Sequence, residues 1–163
     1  MDNQDQLVQF EELALGSRLK RLSDHMMKEA SKIYTVLHID FDPYHMPLFK
    51  LVSEQDSLTI GTISELLNVT QPAVTQYINA LEKKKFVVTH IDKHDKRKKK
   101  IALSKSGKVM LNKLQPIWKI IDEETKLLTQ NPINKTLLDH ISFIENELKN
   151  TPLSTTVLLK FKH

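Results

Sequence analysis

Cysteine is absent from these 163 residues, which removes disulfides, Fe–S clusters, thiolate zinc sites and thiol redox switches together. Glycine is scarce, with three residues in the whole chain, and aromatics make up 6%. So few glycines, beside Leu, Lys, Glu and Ile in 3.6-residue patterns, argue for a mainly helical chain and against a β-sandwich or a nucleotide-cradling α/β sheet. No G-x-G-x-x-G or P-loop pattern occurs, and no nucleophile–base pair or carboxylate dyad stands at a meaningful spacing. A non-enzymatic protein without a cofactor is expected. No apolar run approaches the length of about 20 residues that spans a bilayer. With no cleavable apolar core at the N-terminus either, the expected location is cytoplasmic. The 40% hydrophobic content over this length suits one domain without a second, enzymatic one beside it.

What is present is charge, unevenly placed. The net charge is only +4, yet Lys83–Lys108 holds eleven Lys or Arg against Asp92 and Asp95. That stretch sums to +9 and leaves −5 for the remainder. Confining positive charge to one segment of an otherwise acidic chain makes a local field suited to phosphate.

The apolar pattern supplies the context. Leu7, Phe10, Leu15, Leu19, Leu22, Met26, Ala30, Ile33 and Leu37 predict one long amphipathic helix ending near His38, whose stripe needs a partner such as a second subunit. Asp42-Pro43 starts a second helix, with Met46, Phe49, Leu51 and Val52 as its apolar face. Thr59 is placed as the N-cap of a third, built on Ile60, Ile63, Leu66 and Leu67, and Asn68 can close it in the left-handed conformation a tight turn requires. Thr70 is the next N-cap, and Val74, Ile78 and Leu81 form the inward stripe of a fourth helix. Pro72, Thr75, Gln76, Asn79 and Lys83 lie opposite that stripe, and Gln71 projects from the first turn. Carboxamides suit adenine edges, and the threonine methyl suits thymine.

Phe86–Ile91 and Ile101–Leu103 are β-prone, and the charged segment between them forms the turn of a two-stranded wing. Ser104 is placed to cap a helix carrying Val109, Leu111, Leu114, Ile117, Trp118, Ile121 and Leu128, with Pro116 predicting a bend rather than a break. Asn131-Pro132 separates it from a last helix on Ile133, Leu137, Ile141, Ile144 and Leu148. The Thr151–His163 tail is β-prone and apolar, a docking strand or a frayed end. His90, Asp92 and His94 alternate onto one face of the wing strand, but without a fourth partner they read as solvated wing residues, and no metal is expected. Trp118 and Tyr34 could line an effector pocket, although a Trp at helical spacing is more often core.

Through Ile63–Gln76, then Leu81–Lys84, then Asp95-Lys96-Arg97, then Leu103–Gly107, the sequence resembles the MarR family of transcriptional regulators. The resemblance implies a single MarR-like domain over 1–163, mainly α with a small two-stranded β-wing. In it 1–38 and 105–149 are dimerisation helices, 43–104 a winged helix-turn-helix lobe, and 150–163 a tail of unreadable role. It implies a homodimer on pseudo-palindromic double-stranded DNA, its two recognition helices about one helical turn apart. The recognition-helix candidates are Thr70, Gln71, Pro72, Thr75, Gln76 and Asn79. The wing candidates are Asp95, Lys96, Arg97, Lys98 and Lys99, with Asp95 orienting Arg97 for a narrow minor groove whose negative potential attracts a guanidinium. Two positions depart from the family pattern: Gln76 stands where an arginine is frequent, and Lys85 where a glycine is. Lys85 either takes a left-handed backbone or marks a helix that ends differently. The resulting expectation is a sequence-specific, ligand-responsive homodimeric repressor with a small-molecule effector of unknown identity. The alternative is a sequence-tolerant architectural DNA binder.

Overall fold

The computed structural model describes residues 5–55, 57–91 and 99–161. The helices are α1 (Gln6–Gln9), α2 (Leu15–Val36), α3 (Met46–Glu54), α4 (Ile60–Leu67), α5 (Gln71–Lys83), α6 (Lys105–Thr129), α7 (Leu137–Asn150) and α8 (Leu153–Phe161). The strands are β1 (Leu58–Thr59), β2 (Val87–Ile91) and β3 (Lys99–Leu103). The chain divides into two compact units, Met1–Met110 and Leu111–His163.

In the first unit the mainly helical fold with a β-wing is as expected, with one addition. The sheet has three strands in the order β1-β3-β2, all antiparallel. The wing pair runs in register from Val87 opposite Leu103 to Ile91 opposite Lys99, while β1 sets Leu58 opposite Ile101 on the other edge of β3. A two-residue strand has no periodicity to read, and its pairing to β3 is long-range. It also ties Thr59, the residue that caps α4, to Lys100 of β3.

The core of this unit takes Phe49, Val52, Ile63, Val74, Ile78 and Leu81 from the predicted apolar faces and adds Phe41, Leu48 and Leu58, while Leu66, expected on the buried face of α4, is 53% exposed. Phe41, Leu48, Phe49, Val52, Leu58, Ile63, Val74, Ile78, Leu81, Phe86, Val87 and Ile101 are all buried. An aromatic cluster anchors it, with Phe41 against Phe49 at 5.1 Å between ring centroids, Phe86 at 6.2 Å and Tyr34 at 6.1 Å. Such ring pairs add to the burial term because edge and face charges are complementary.

The N-terminal helix differs from the expectation of one continuous element. It is broken at Phe10–Ala14, where a 3₁₀ turn with Glu11 at φ 46° separates α1 from α2. The apolar stripe itself breaks there, because the step from Phe10 to Leu15 is five residues and leaves the helical face. Asp5 caps α1 through the Leu7 amide at 3.1 Å and pairs with Arg21 of α2 at 2.6 Å.

In the second unit α6 runs unbroken through Pro116. The last helix begins at Leu137 rather than near Ile133. Asn131 holds the intervening turn, its Oδ1 accepting from the amides of Ile133 at 2.9 Å and Asn134 at 3.0 Å. Asn competes with helix in this way by offering the backbone a local side-chain acceptor. The tail is neither strand nor frayed end, since Leu153–Phe161 is helical. Pro152 starts it, with its carbonyl accepting from Thr155 at 3.0 Å. A helix satisfies these backbone groups locally, whereas a strand needs a neighbour. Among the described residues no helix is long and apolar enough to cross a membrane.

Candidate nucleic-acid interface

The turn between α4 and α5 is built from three residues, each with an assigned task. Thr59 starts α4, its Oγ1 accepting from the Thr62 amide at 3.1 Å. Asn68 closes α4 at φ 51°, ψ 44°, the left-handed conformation Asn adopts at modest cost. Val69 follows, donating its amide to the Ser64 carbonyl at 3.1 Å and accepting from the Ser64 hydroxyl at 2.5 Å. Thr70 then caps α5, its Oγ1 accepting from Ala73 at 3.4 Å, with Pro72 in the first turn where no N–H is needed.

Because Val74, Ile78 and Leu81 are buried, the rest of α5 is forced outward. Gln71, Pro72, Thr75, Gln76, Asn79 and Lys83 are exposed, as is Thr70. All six residues placed on the recognition helix from sequence are therefore exposed. Thr75 donates its hydroxyl to the Gln71 carbonyl at 2.9 Å. Of the wing candidates, Lys99 is exposed on β3, whereas Asp95, Lys96, Arg97 and Lys98 lie outside the described residues. So do Asp92 and His94 of the alternating trio, and His90 is exposed on β2. Among the described residues no three His, Cys, Asp or Glu side chains gather as a metal site.

Three links at the C-terminal end of α5 escaped the sequence reading. The Thr89 hydroxyl of β2 donates to Glu82 at 2.5 Å. Lys84, counted above in the basic run, directs its ammonium to the Asp40 carboxylate at 2.5 Å and the Asp40 carbonyl at 3.3 Å. Lys85 takes the left-handed backbone at φ 59°, and its carbonyl accepts from both Ser104 and Ser106 hydroxyls. Ser104 caps α6 as expected, through the Gly107 amide at 2.9 Å. The Leu-Ser-x-Ser-Gly run carried the signal for the last of these, but not which carbonyl it meets.

Beside Lys84 lies an open cavity of about 440 Å³, lined by Ser31, Tyr34, Thr35, Ile39, Asp40, Phe41, Asp42, Pro43, Tyr44 and Lys84. Tyr34 thus does line a cavity, while Trp118 sits half-buried in α6 of the second unit. Near the cavity's edge His45 packs edge-on to Tyr77 of α5, with centroids 5.5 Å apart. Burial holds its imidazole below the usual 6.5, with Lys84 acting in the same direction and Asp42 against it.

Residues 43–98 match the MarR family model. Along most of its length the chain is similar to the HTH-type transcriptional regulator PrsX of Escherichia coli, 25% identical over 152 residues that cover 88% of this chain and 91% of PrsX. In fold it is similar to MepR of S. aureus solved as a complex with DNA, with a TM-score of 0.70, 20% identity, and coverage of 82% and 98% of the two chains. The repressor CouR bound to a 23-mer DNA duplex gives a TM-score of 0.67 at 18% identity, over 83% of this chain and 96% of CouR. The matched segment takes in the helix-turn-helix described above, and over that segment and in its fold the chain is similar to regulators of the MarR family.

Proposed function

We propose that the protein is a transcriptional regulator that binds duplex DNA as a homodimer, α5 reading the major groove and the wing reaching the adjacent minor groove. The observation that carries this reading is the surface of α5, where every residue opposite the buried Val74, Ile78 and Leu81 is exposed and able to meet a base edge or backbone. The wing root, β2 and β3, stands beside it and leads into the most basic segment of the chain. Lys96, Arg97, Lys98 and Lys99 supply phosphate and minor-groove contacts, with Asp95 orienting Arg97.

Dimerisation accounts for the apolar faces outside the lobe. On α2, Leu15, Leu19, Leu22, Met26 and Ile33 form an exposed stripe. In the second unit Leu138, Phe143 and Leu148 of α7 and Leu153, Val157, Leu158, Leu159 and Phe161 of α8 are exposed. Faces of this kind on a folded chain mark interaction surfaces, and a second copy of the same chain covers them by two-fold symmetry. Residues 1–38 and 105–149 serve as the dimerisation helices and 43–104 as the DNA-binding lobe.

The regulator acts as a repressor released by a small molecule. The cavity beside Lys84 supports this, because it joins the segment after α2 to the end of α5 through the Lys84–Asp40 pair. An effector that competes for Lys84 or spreads the cavity walls shifts the lobe's position, and a differential affinity of a few kcal/mol between the two positions is enough.

The test is fluorescence anisotropy on duplex DNA from upstream of the gene against a scrambled duplex, at several salt concentrations. Competitor-resistant binding at two protomers per site is expected. Arg97→Ala should weaken it by at least tenfold while sedimentation still gives a dimer. Equal affinity for both duplexes with a steep salt slope would replace specific regulation with architectural binding, and unchanged affinity in Arg97→Ala would remove Arg97 from the site.

A further inference from the structure

We infer that α5 specifies A·T pairs in the major groove, through the carboxamides of Gln76 and Asn79 and the methyl group of Thr75, and makes no guanine-specific charged contact there. The inference rests on the reading of α5 as the groove-reading helix and names what that helix reads.

The exposed face formed by Gln71, Pro72, Thr75, Gln76 and Asn79 carries no ionisable side chain. The charged residues of α5 are Glu82 and Lys83, in its last turn. Glu82 is engaged by the Thr89 hydroxyl. Lys83 lies twelve residues beyond Gln71, about 18 Å along the axis at 1.5 Å per residue, and it is the N-terminal end of such a helix that meets base edges. Guanine shows two acceptors in the major groove, N7 and O6, and its strong reader is a guanidinium or ammonium with donors alone. No such group stands on this face between Gln71 and Asn79.

The hydroxyls are committed as well. Thr75 donates to the Gln71 carbonyl at 2.9 Å, so its proton is held by the backbone and its methyl group is the apolar element it can offer a base. Thr70 is occupied as the cap of α5, and Pro72 has no N–H. The readers that remain are carboxamides, which offer one donor and one acceptor side by side. That pair matches adenine, whose N6 donates and N7 accepts, and mismatches guanine, where the carbonyl oxygen would face O6. The Gln71 amide nitrogen lies over α4, 3.9 Å from the position a Cβ on Gly61 would take. Gln76 and Asn79 therefore carry the discrimination, and Thr75, one position before Gln76, meets a thymine methyl.

The experiment is selection of duplexes from a random library by the full-length dimer at physiological salt, followed by anisotropy titrations on the enriched duplex. A·T pairs are expected at the half-site positions that matter in the major groove. Exchange of such a pair for G·C should cost roughly 5- to 150-fold in affinity, the range for one bidentate contact, and Gln76→Ala or Asn79→Ala should abolish that preference at one position each. Replacing the contacted thymine with deoxyuridine should weaken the wild type but not Thr75→Ser, which keeps the backbone hydrogen bond and lacks the methyl. A half-site with an indispensable G·C pair whose preference survives both alanine variants would overturn the inference. So would a wild type indifferent to deoxyuridine. A library with no enriched motif would instead overturn the DNA-reading assignment of α5 beneath it.

Discussion

The three glycines of this chain make two different predictions, and Gly107 makes the sharper. A Cβ built on Gly107 would stand 1.9 Å from the carbonyl oxygen of Phe86 and 2.9 Å from its carbonyl carbon. Both are backbone atoms, so no side chain can swing aside, and the first turn of α6 must move away from the root of β2 by more than an ångström. That movement pulls on the hydrogen bonds that join the two elements: Ser104 N–H to the Phe86 carbonyl at 3.0 Å, and the Ser104 and Ser106 hydroxyls to the Lys85 carbonyl. Three bonds at about 1 kcal/mol each, offset by up to about 1 kcal/mol for the better helix propensity of alanine, leave Gly107→Ala about 2–3 kcal/mol less stable. For a chain of this size that lowers Tm by about 4–12 °C. Gly16 has no neighbouring atom within 4 Å of its built Cβ, and Gly61 has only ordinary contacts at 3.8 and 3.9 Å. Gly16→Ala and Gly61→Ala should therefore be neutral or raise Tm by a few degrees, as each removes a helical glycine. Thermal unfolding of the three variants at one protein concentration is the assay. A Gly107→Ala melting point within a degree of wild type would refute the packing of α6 against the wing root.

Two further substitutions probe the same lobe. Lys85 holds a left-handed backbone at φ 59°, so Lys85→Gly should stabilise by about 1 kcal/mol and raise Tm by about 2–4 °C, while Lys85→Val should lower it; equal melting points for the two would remove the strain. The imidazole of His45 is held below 6.5 by burial, so the unfolded chain binds the proton more readily than the folded one. Its contribution is fully present above the unfolded value and is lost as pH falls from 6.5 through the lower folded value. The fall in Tm between pH 7 and pH 5 should thus be smaller in His45→Phe than in wild type, and an identical fall in both would show that His45 does not titrate with unfolding.

The lobe from Thr59 to Ser104 was legible in the sequence because each of its boundaries is a local chemical event. Thr59, Asn68, Thr70 and Ser104 act within three or four residues of themselves, and the buried stripe of Val74, Ile78 and Leu81 fixes by exclusion which side chains of α5 face outward. What was not legible depends on partners distant in sequence. The strand β1 exists only because Leu58 meets Ile101. Lys84 reads as one more cation in a basic run until Asp40, 44 residues earlier, takes its ammonium. The tail shows the converse failure: the Val157–Phe161 run has β propensity, but propensity expresses itself as a strand only where a neighbouring edge offers hydrogen bonds. The wing positions Asp95 to Lys98 lie outside the described residues, and their minor-groove role stands as a proposal on sequence alone.

The links at the end of α5 bear on how far this helix can move within the lobe. The N-terminal end of the helix is anchored by its cap and by the turn from α4. Its C-terminal end is held from three directions: Glu82 by β2, Lys84 by the segment after α2, and the Lys85 carbonyl by the first turn of α6. A helix restrained in this way, with its inward stripe fully buried, cannot bend or unwind at its reading face without losing several of these interactions together. Bistability is then cheaper at the edge of the lobe than within it, because packed cores have discrete arrangements rather than continuous ones. In the Lys84–Asp40 pair the Asp40 side chain is 85% and the Lys84 side chain 33% exposed, and an ion pair open to water contributes about 1 kcal/mol or less. This pair borders the cavity described above, so it is the link within reach of the effector proposed above. The effector response proposed above should accordingly move α4 and α5 as one body about the segment that follows α2, leaving the geometry of the outward face of α5 unchanged.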